Sequence, residues 1–291
     1  MKFRRISGYF YILPIFVFTI FFWYLPLVIS TIFSFADYNI LRPLRFIGLG
    51  NYERLLQDDY FIRSVLNTLF FVAGVVPVQT ILAFASAAWL VNRKRGLIRS
   101  FVEKAMFIPC IASVTVIGIV SRIMLNNPSS PLNGFLGLFG GSASGLLGSD
   151  RAALPTLMVI EILINTGYYM IFFRNGLLEI PESYYEAARL DGASQMQIYR
   201  RIVLPLLRPV FIMVIFLGAI QGFRTFDLVY TTTGGGPGQS SLTTMVYLYM
   251  QNFKFSQIGY AMAIGNVMIV LVFILTFLQR RLLRSRESSL Y

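Results

Sequence analysis

Three polar side chains recur at helical spacing in the middle of an apolar stretch. Glu161, Asn165 and Tyr168 lie at positions i, i+4 and i+7, so a helix would carry them on one face. A carboxylate, an amide and a phenol supply hydrogen-bond acceptors and donors together with an aromatic plane. This combination suits the hydroxyl groups and the ring of a sugar. The alternative is that these groups bond to neighbouring helices, as polar residues in membrane spans often do.

A second candidate face lies later in the chain. Gln221 and Thr225 are four residues apart, and Gly218 and Gly222 are expected on the same side of the predicted helix. We interpret Gln221 and Thr225 as further candidates for substrate contact. Helix packing is again the alternative interpretation.

We expect the remaining polar residues of the apolar stretches to have structural roles. Arg224 and Asp227, at i and i+3, are expected to neutralise each other near the outer surface. Gln79 and Asn266 are expected to serve helix packing. Cys110 is expected to act as a small apolar residue.

The composition indicates that the elements carrying these residues lie in a bilayer. The chain of 291 residues is 56% hydrophobic and 13% charged, with a mean hydropathy of +0.67. A soluble domain carries about 25% charged residues. The sequence has no His and one Cys, which excludes disulfide frameworks, Cys/His metal sites and His-dependent triads. Hydrolytic or redox chemistry by this chain alone is therefore not expected.

Six segments meet the requirement of roughly 20 mostly apolar residues for a spanning helix. We predict an all-α integral membrane protein with one transmembrane domain over residues 1–291. The first segment lacks an A-x-A-like cleavage site and is expected to be a retained span. The six predicted spans are residues 9–35, 64–92, 105–125, 152–173, 207–230 and 257–281.

The distribution of basic residues predicts the orientation. Most of the 25 Lys and Arg residues fall on one side of the membrane when both termini are cytoplasmic. The predicted external loops are then residues 37–63, which include Arg42, 126–151 and 231–254. The net charge of +12 is therefore a topology signal for a cell-membrane protein, and nucleic-acid binding is not expected. One cytoplasmic cluster contains Arg93, Lys94, Arg95, Arg99 and Lys104.

The 181–205 segment interrupts the apolar stretches with small, charged and amphipathic residues. Pro181 suits the first turn of a short helix, and Gly192 is a plausible C-terminal cap. Ser194 is suited to cap a second helix that Pro205 would end. We predict two short helices that meet at a glycine, on the cytoplasmic side between the fourth and fifth spans.

The role of the 181–205 segment has competing interpretations. It is either an amphipathic element resting on lipid, a solvated linker, or a docking element for another protein. Ala187 and Ala188 favour docking, because two consecutive small residues allow a partner to approach closely. The second helix is expected to form one apolar face from Met196, Tyr199, Ile202 and Val203.

The sequence EAARLDGASQMQIYRRIVLP resembles the EAA loop of binding-protein-dependent ABC transporter permeases. The matching positions are Glu186-Ala187-Ala188, Gly192 and Ile202-Val203-Leu204-Pro205. The stretches IPESYYEAARLDGAS and TTTGGGPGQSS are more particular. They resemble the sugar-type permeases of the maltose and glycerol-3-phosphate transporter group, and more closely the maltose-subunit type with its TxGGP loop.

This resemblance implies an ABC importer permease (MetI-like) fold that carries a sugar, an oligosaccharide or a sugar derivative. It also implies a second homologous permease subunit, two ATP-binding subunits and an extracytoplasmic solute-binding protein. The two polar faces described above resemble the faces that line the sugar site in the maltose-type permease. The residues implied to couple to the ATPase are Glu186, Ala187, Ala188, Asp191 and Gly192.

No nucleotide site is expected on this chain. The sequence contains no Gly-Lys pair and therefore no G-x-x-x-x-G-K-[ST] motif. ATP and Mg²⁺ are thus expected on separate ATPase subunits, and the chain is not expected to be an enzyme. One alternative is an ion- or proton-coupled secondary transporter in which Glu161 titrates. Another is an intramembrane enzyme, against which the absence of His argues.

Overall fold

The computed structural model describes residues 2–39, 43–94, 96–138, 140–143 and 145–287. Arg42 of the predicted external loop 37–63 and Arg95 of the basic cluster lie outside the described residues. The secondary structure of the described part is mostly helical, which agrees with the predicted all-α class. The described residues also form a short antiparallel pair of strands, β1 (Ala36–Asp37) and β2 (Arg45–Phe46).

The described residues form fifteen α-helices, joined in four places by turns of other helical types. The helices are α1 (Lys2–Thr19), α2 (Leu25–Ser34), α3 (Gly50–Gln57), α4 (Asp59–Asn92), α5 (Leu97–Ile111), α6 (Val114–Asn126), α7 (Pro131–Gly137), α8 (Ala153–Glu179), α9 (Glu182–Leu190), α10 (Gln195–Ile198), α11 (Leu204–Leu206), α12 (Arg208–Phe223), α13 (Asp227–Thr232), α14 (Thr244–Tyr249) and α15 (Ile258–Glu287). The turns are π-helical at Ile20–Tyr24, Tyr199–Val203 and Met250–Lys254, and 3₁₀ at Leu146–Gly148.

Four continuous helices are long and apolar enough to cross a membrane. They match the predicted spans at 9–35, 64–92, 152–173 and 257–281. Their bounds are Tyr11–Ser34, Asp59–Asn92, Ala153–Glu179 and Ile258–Leu278.

The other two predicted spans are not single straight helices. The span predicted at 105–125 is divided into α5 and α6, which are bent by 100° at a break where Ala112 and Ser113 adopt extended conformations. The span predicted at 207–230 is also wrong in its extent, because α12 ends at Phe223 and follows Gln195–Leu206 with a bend of 64°. The described residues therefore contain up to six spans if each bent pair counts as one.

Two of the π-helical turns have a common cause. A proline ring inside a helix collides with the carbonyl four residues earlier. The turn Ile20–Tyr24 precedes Pro26, and the turn Tyr199–Val203 precedes Pro205. A widened turn accommodates the ring, so the helix continues to Leu206. The prediction that Pro205 ends the second helix is therefore wrong.

The predicted external loop 126–151 contains ordered structure around one buried amide. Asn133 lies in α7, and its Nδ2 donates to the carbonyl oxygens of Asn127 at 2.9 Å and Met124 at 3.3 Å. Its Oδ1 accepts from the backbone N–H of Ala143 at 2.6 Å. These bonds satisfy backbone groups that a packed loop would otherwise leave without partners.

The chain divides into two compact units, Met1–Ile62 with Tyr247–Leu275, and Arg63–Val246 with Thr276–Tyr291. In the first unit Asp58 is central: its Oδ1 caps α4 by accepting from Tyr60 N at 2.9 Å. Its Oδ2 accepts hydrogen bonds from the hydroxyls of Tyr247 and Tyr260. Asn266 donates to another tyrosine of the same unit, Tyr52, at 3.4 Å, which agrees with its predicted packing role.

In the second unit, small residues bring helices close together. A Cβ at Gly167 of α8 would overlap the main-chain carbonyl of Met106 in α5. A Cβ at Gly218 of α12 would lie 2.5 Å from Nε2 of Gln79 in α4. Gln79 is only 2% exposed, so its predicted role in helix packing is confirmed. Close approach at small residues is how helices associate in membranes.

Candidate functional site

Glu161 and Asn165 form a bonded pair on α8. The Asn165 Nδ2 atom donates to the Glu161 Oε1 at 2.9 Å and to the Glu161 main-chain oxygen at 3.2 Å. Glu161 is 5% exposed, whereas Asn165 is half-buried. The sequence prediction of one shared face is correct. The pair combines a carboxyl group with an amide, which is the chemistry that recognises hydroxyl groups.

Tyr168 extends the same face of α8 by one turn. Its side chain is 45% exposed, and its ring makes edge contacts with Tyr169 and Phe172 at centroid distances of 5.2 Å. These contacts fix the ring while leaving part of its face accessible. An accessible aromatic face beside polar groups suits stacking against the ring of a sugar.

Gln221 and Thr225 are less alike than the sequence suggests. Gln221 is exposed on α12, whereas Thr225 is 7% exposed and follows the end of that helix. Gly218 and Gly222 face α4 rather than the side on which Gln221 lies. Among the described residues, no hydrogen bond joins Gln221 or Thr225 to the polar face of α8.

Arg224 and Asp227 do not neutralise each other. Arg224 is the C-cap of α12, where its N–H donates to Gln221 O at 3.1 Å, and Asp227 begins α13. Both side chains are exposed, and no ion pair joins them in the part of the chain that the structure describes. The prediction of an i, i+3 pair is wrong because it assumed a continuous helix.

The 181–205 segment forms the predicted pair of helices with a glycine at the turn. The N–H of Gly192 donates to Arg189 O at 3.0 Å, and the N–H of Ala193 donates to Ala188 O at 2.9 Å. These bonds match the Schellman motif that ends many helices. Gly192 has a φ of +74°, which a residue with a side chain adopts at a cost. The prediction that Gly192 caps the C-terminal end of the first helix is therefore correct.

The second helix begins with a capping box. Ser194 accepts a hydrogen bond from the N–H of Gln197 at 3.4 Å, and the Gln197 side chain accepts from the N–H of Ser194 at 2.7 Å. Pro181 lies one position earlier than predicted, at the N-cap of α9 rather than in its first turn. The cap at Ser194 is as predicted.

The apolar face of the second helix differs from the prediction. Met196 is 68% exposed, whereas Ile198 is 1% exposed and takes part in the core. Val203 is fully buried, and Tyr199 and Ile202 pack against the same core, as predicted. The wider π-helical turn at Tyr199–Val203 changes the angular positions of the residues, which explains the error at Met196.

The structure assigns different surroundings to the implied coupling residues. Glu186, Ala187, Asp191 and Gly192 are exposed. Ala188 is 9% exposed and packs in the core of the second unit, so only one of the two consecutive alanines is accessible.

A small cavity lies between the two helices of the 181–205 segment. Its volume is about 290 Å³, and Asp191, Gly192 and Ala193 line one side. Gln197 and Arg201 line the other side, and they are not among the site residues predicted from the sequence. Their i, i+4 spacing is a signal for a shared polar face. The exposed residues and this cavity together form a surface with small, acidic and basic side chains.

In the described ranges, no group of three His, Cys, Asp or Glu residues is placed to hold an ion.

Tyr185 in α9 is the ionisable group of this segment whose pKa is shifted: burial, and after it the neighbouring Tyr199, raise the pKa of its phenol. This phenol therefore stays protonated at neutral pH.

The helical architecture and the long apolar helices are those of an integral membrane protein. The chain belongs to the family of binding-protein-dependent transport system inner membrane components, which matches residues 79–288. It is thus a transport component rather than an enzyme, as its sequence predicts.

Curated relatives match over nearly the whole chain. The trehalose/maltose transport system permease protein MalF of Thermococcus litoralis is 31% identical over 283 residues, which cover 96% of this chain and 95% of the relative. The lactose transport system permease protein LacF of Rhizobium radiobacter is 30% identical over 295 residues, which cover 98% and 97%.

A solved structure shares the fold. It is the bacterial alginate ABC transporter in complex with an alginate pentasaccharide-bound periplasmic protein. One of its chains matches with a TM-score of 0.85 and 20% identity, covering 97% of this chain and 95% of that chain. The predicted ABC importer permease fold is therefore confirmed.

Proposed function

We propose that this chain is the transmembrane permease subunit of an ATP-driven, binding-protein-dependent importer for a sugar, an oligosaccharide or a sugar derivative. The observation that carries this proposal is the 181–205 segment, a capped pair of helices with exposed small and charged residues on a buried base. The relatives named for trehalose/maltose and lactose transport support a carbohydrate substrate.

The 181–205 segment is suited to receive force from an ATPase subunit. Its outer surface presents Glu186, Ala187, Asp191 and Gly192, while Ala188 ties the first helix to the core. The second helix continues through a bend of 64° into α12. A push on the exposed turn would therefore reach the candidate substrate face through a continuous chain of packed helices.

The polar face of α8 is the proposed contact with substrate. Glu161 and Asn165 would accept and donate hydrogen bonds to hydroxyl groups, and the accessible ring of Tyr168 would cover the sugar ring. Gln221 is exposed and retains this proposed role. Thr225 is buried, so we propose that it contacts the substrate only after α12 moves.

We propose four partner proteins for this chain and one orientation of the chain in the membrane. A second permease subunit completes the pathway, two ATP-binding subunits dock on the 181–205 segments, and an extracytoplasmic solute-binding protein delivers the sugar. ATP and Mg²⁺ bind to the ATPase subunits. Both termini are cytoplasmic, as the distribution of Lys and Arg indicates.

The test is a double variant of this chain, Glu186→Ala with Gly192→Val, studied in the assembled importer. Valine at a φ of +74° strains the turn, and the alanine removes an exposed charge. We expect the ATPase subunits to be lost from the purified assembly, while the permease remains inserted in the membrane. Glu182→Ala, an exposed residue in the first turn of the same helix, is the matched control and should retain them.

Full retention of the ATPase subunits and of transport by the double variant would contradict the proposal and favour a secondary transporter. The substrate class is tested separately. The assembled importer, with its solute-binding protein, is supplied with individual carbohydrates while ATP hydrolysis is measured. We expect at least one sugar or sugar derivative to stimulate hydrolysis, and stimulation by none would contradict the carbohydrate assignment.

A further inference from the structure

The hydroxyl of Tyr199 connects the 181–205 segment to the end of α4. The Nδ2 atom of Asn92, the last residue of α4, donates to this hydroxyl. The same Nδ2 atom donates to the carbonyl oxygen of Ala88 at 2.8 Å, so both of its hydrogens are used and the amide has a fixed orientation. Within the described residues, this is the one side-chain hydrogen bond between the segment and another part of the chain.

The aromatic ring of Tyr199 makes a second contact with α4. The side chain is half-buried, and its ring lies edge-on to the ring of Phe84, with 6.4 Å between the ring centroids. Phe84 lies eight residues before Asn92, so the two contacts of Tyr199 are about two turns apart on α4. Two contacts at different heights on one helix hold the side chain more firmly than either contact would alone.

Phe84 belongs to a junction of three aromatic rings from three helices, α4, α8 and α12. Its centroid lies 5.6 Å from that of Phe173 in α8 and 5.1 Å from that of Phe211 in α12. The centroids of Phe173 and Phe211 are 4.6 Å apart, and Phe173 is fully buried. Aromatic rings at such distances attract one another beyond the effect of burial. Tyr199 therefore contacts the junction at which α4 meets the helix that carries Glu161.

The covalent connection from the 181–205 segment leads to α12 and not to α4. The second helix of the segment ends at Leu206, and α12 begins at Arg208 after a bend of 64°. The ends of helices are places where the angle between two elements can change. The backbone by itself therefore leaves the position of the second helix relative to α4 undetermined.

Apolar packing also joins the segment to α4, but it acts without direction. Ala188 and Ile198 share a core with Ala87 and Leu90 of α4. Burial of apolar surface is non-directional, so small side chains such as alanine offer little resistance when two helices slide in contact. A hydrogen bond depends on distance and angle and therefore favours one register. The tyrosine hydroxyl supplies this register.

We propose that Tyr199 is a positioning residue for transport: its hydrogen bond with Asn92 makes α4 follow the second helix of the 181–205 segment when that segment moves. The ring contact with Phe84 carries the movement into the junction with α8. This inference rests on the proposed function only in that an ATPase subunit moves the segment. A residue that merely fills space at this position would need the ring but not the hydroxyl, and Tyr199→Phe separates these two roles.

The first experiment tests the connection in the purified full chain, without ATP, sugar or partner subunits. Tyr199→Phe keeps the ring and removes the hydroxyl, so backbone hydrogen exchange at residues 89–92 should rise about fivefold, the change in an equilibrium constant that one lost hydrogen bond typically causes. Asn92→Ala should raise exchange at residues 199–203 by a similar factor, because linkage between two sites is reciprocal.

The second experiment tests transport by the assembled importer in proteoliposomes. The sugar transported per ATP hydrolysed should fall about fivefold in Tyr199→Phe and in Asn92→Ala, while the ATPase subunits remain bound. The double variant should lose no more than either single variant, because both changes remove the same bond. Asn92→Gln keeps an amide donor and should retain most of the sugar transported per ATP.

Tyr60→Phe is the matched control. It makes the same chemical change in the same helix, at an exposed tyrosine whose hydroxyl has no hydrogen bond within the described part of the chain. Its hydrogen exchange and its ratio of sugar to ATP should equal those of the parent chain.

A ratio of sugar to ATP in Tyr199→Phe equal to that of the parent would overturn the proposal, and so would additive losses in the double variant. Loss of the ATPase subunits from Tyr199→Phe would assign its hydroxyl to docking and would also refute it. Unchanged exchange in both single variants would show that the bond does not connect the two elements. A parent chain that binds no ATPase subunit would contradict the proposed function as well, whereas a coupled parent with an equally coupled Tyr199→Phe variant contradicts this inference alone.

Discussion

The side-chain amide of Asn165 donates a hydrogen bond at 2.9 Å to the buried carboxyl group of Glu161, which lies one turn earlier in α8. Both partners belong to one helix, so the pair persists when other helices move around it. This property suits a substrate contact in a transporter, because the site must keep its chemistry while the pathway opens on alternate sides. The pair also provides the carboxylate with a donor, without which a buried charge would be costly.

We expect Glu161→Ala to raise the half-saturating concentration of the transported sugar by on the order of tenfold. Hydrogen bonds to a charged group contribute about 1.5–3 kcal/mol, which corresponds to a change of at least this size. The measurement is sugar-dependent uptake by proteoliposomes that contain the assembled importer and ATP. Leu178→Ala, at a 59% exposed position nearer the end of α8, is the control and should change little.

Glu161→Gln separates substrate contact from proton coupling. An importer driven by ATP should keep most of its uptake, because glutamine preserves the shape and one acceptor oxygen of glutamate. A proton-coupled transporter would lose uptake entirely, because glutamine does not titrate. Uptake that vanishes in Glu161→Gln, and that a pH gradient alone drives in the parent protein, would contradict our proposal.

Gly167→Ala should lower the stability of the second unit by about 1–3 kcal/mol, the usual cost of overpacking. The added Cβ would overlap the backbone carbonyl of Met106, and a backbone atom has little freedom to move aside. Thermal unfolding of the purified chain in detergent measures this effect. Gly134→Ala in α7 is the matched control, because no atom lies within 4 Å of the added carbon. Equal melting temperatures for the two variants would refute the close approach of α5 and α8.

Ser194→Ala should loosen the second helix of the 181–205 segment by about 1 kcal/mol, the typical cost of losing an N-cap. Ser194 and Gln197 satisfy each other's backbone N–H groups, and alanine removes one of these bonds. Hydrogen exchange at residues 195–206 should increase several-fold, while Ser194→Asp, which keeps a cap, should restore protection. Unchanged exchange in the alanine variant would show that the capping box does not stabilise this helix.

Acidification should weaken the first unit through Asp58. Burial of the Asp58 carboxyl raises its pKa, but hydrogen bonds from Tyr247, Tyr260 and the backbone lower it by more, so the pKa lies below its ordinary value. A depressed pKa in the folded state contributes stability above the ordinary aspartate pKa of about 4, and this stability is lost as the pH falls through the folded value. Burial, and after it the hydrogen bond to Asp58 and the charge of that carboxylate, raise the pKa of Tyr247.

The melting temperature of the parent chain should therefore fall more steeply below about pH 4 than that of Asp58→Asn. The asparagine variant should be less stable than the parent at pH 7, because an amide is a weaker acceptor for two hydroxyl donors than a carboxylate is. Asp59→Asn, at the adjacent position in the first turn of α4, serves as the control. Parallel pH profiles for the parent and Asp58→Asn would contradict this account.

Local signals in the sequence predicted much of the candidate site. Glu161 and Asn165 share a face because their spacing follows the period of a helix, and that relation survives any packing. Gly192 and Ser194 form caps because capping depends on bonds within a few residues. The error at Met196 arose where Pro205 widened the preceding turn, which simple helical periodicity does not describe.

The sequence by itself determined that the chain is helical, apolar enough for a bilayer and capped at the 181–205 segment, because these properties follow from composition and short-range bonding. Only the tertiary structure decided that the chain bends by 100° between α5 and α6, that Ala188 is buried, and that Gln221 is exposed. The physical reason is that helices apolar on every side carry no periodic signal for their buried face. Which face is buried depends on neighbours that are distant in the chain, such as Met106 against Gly167.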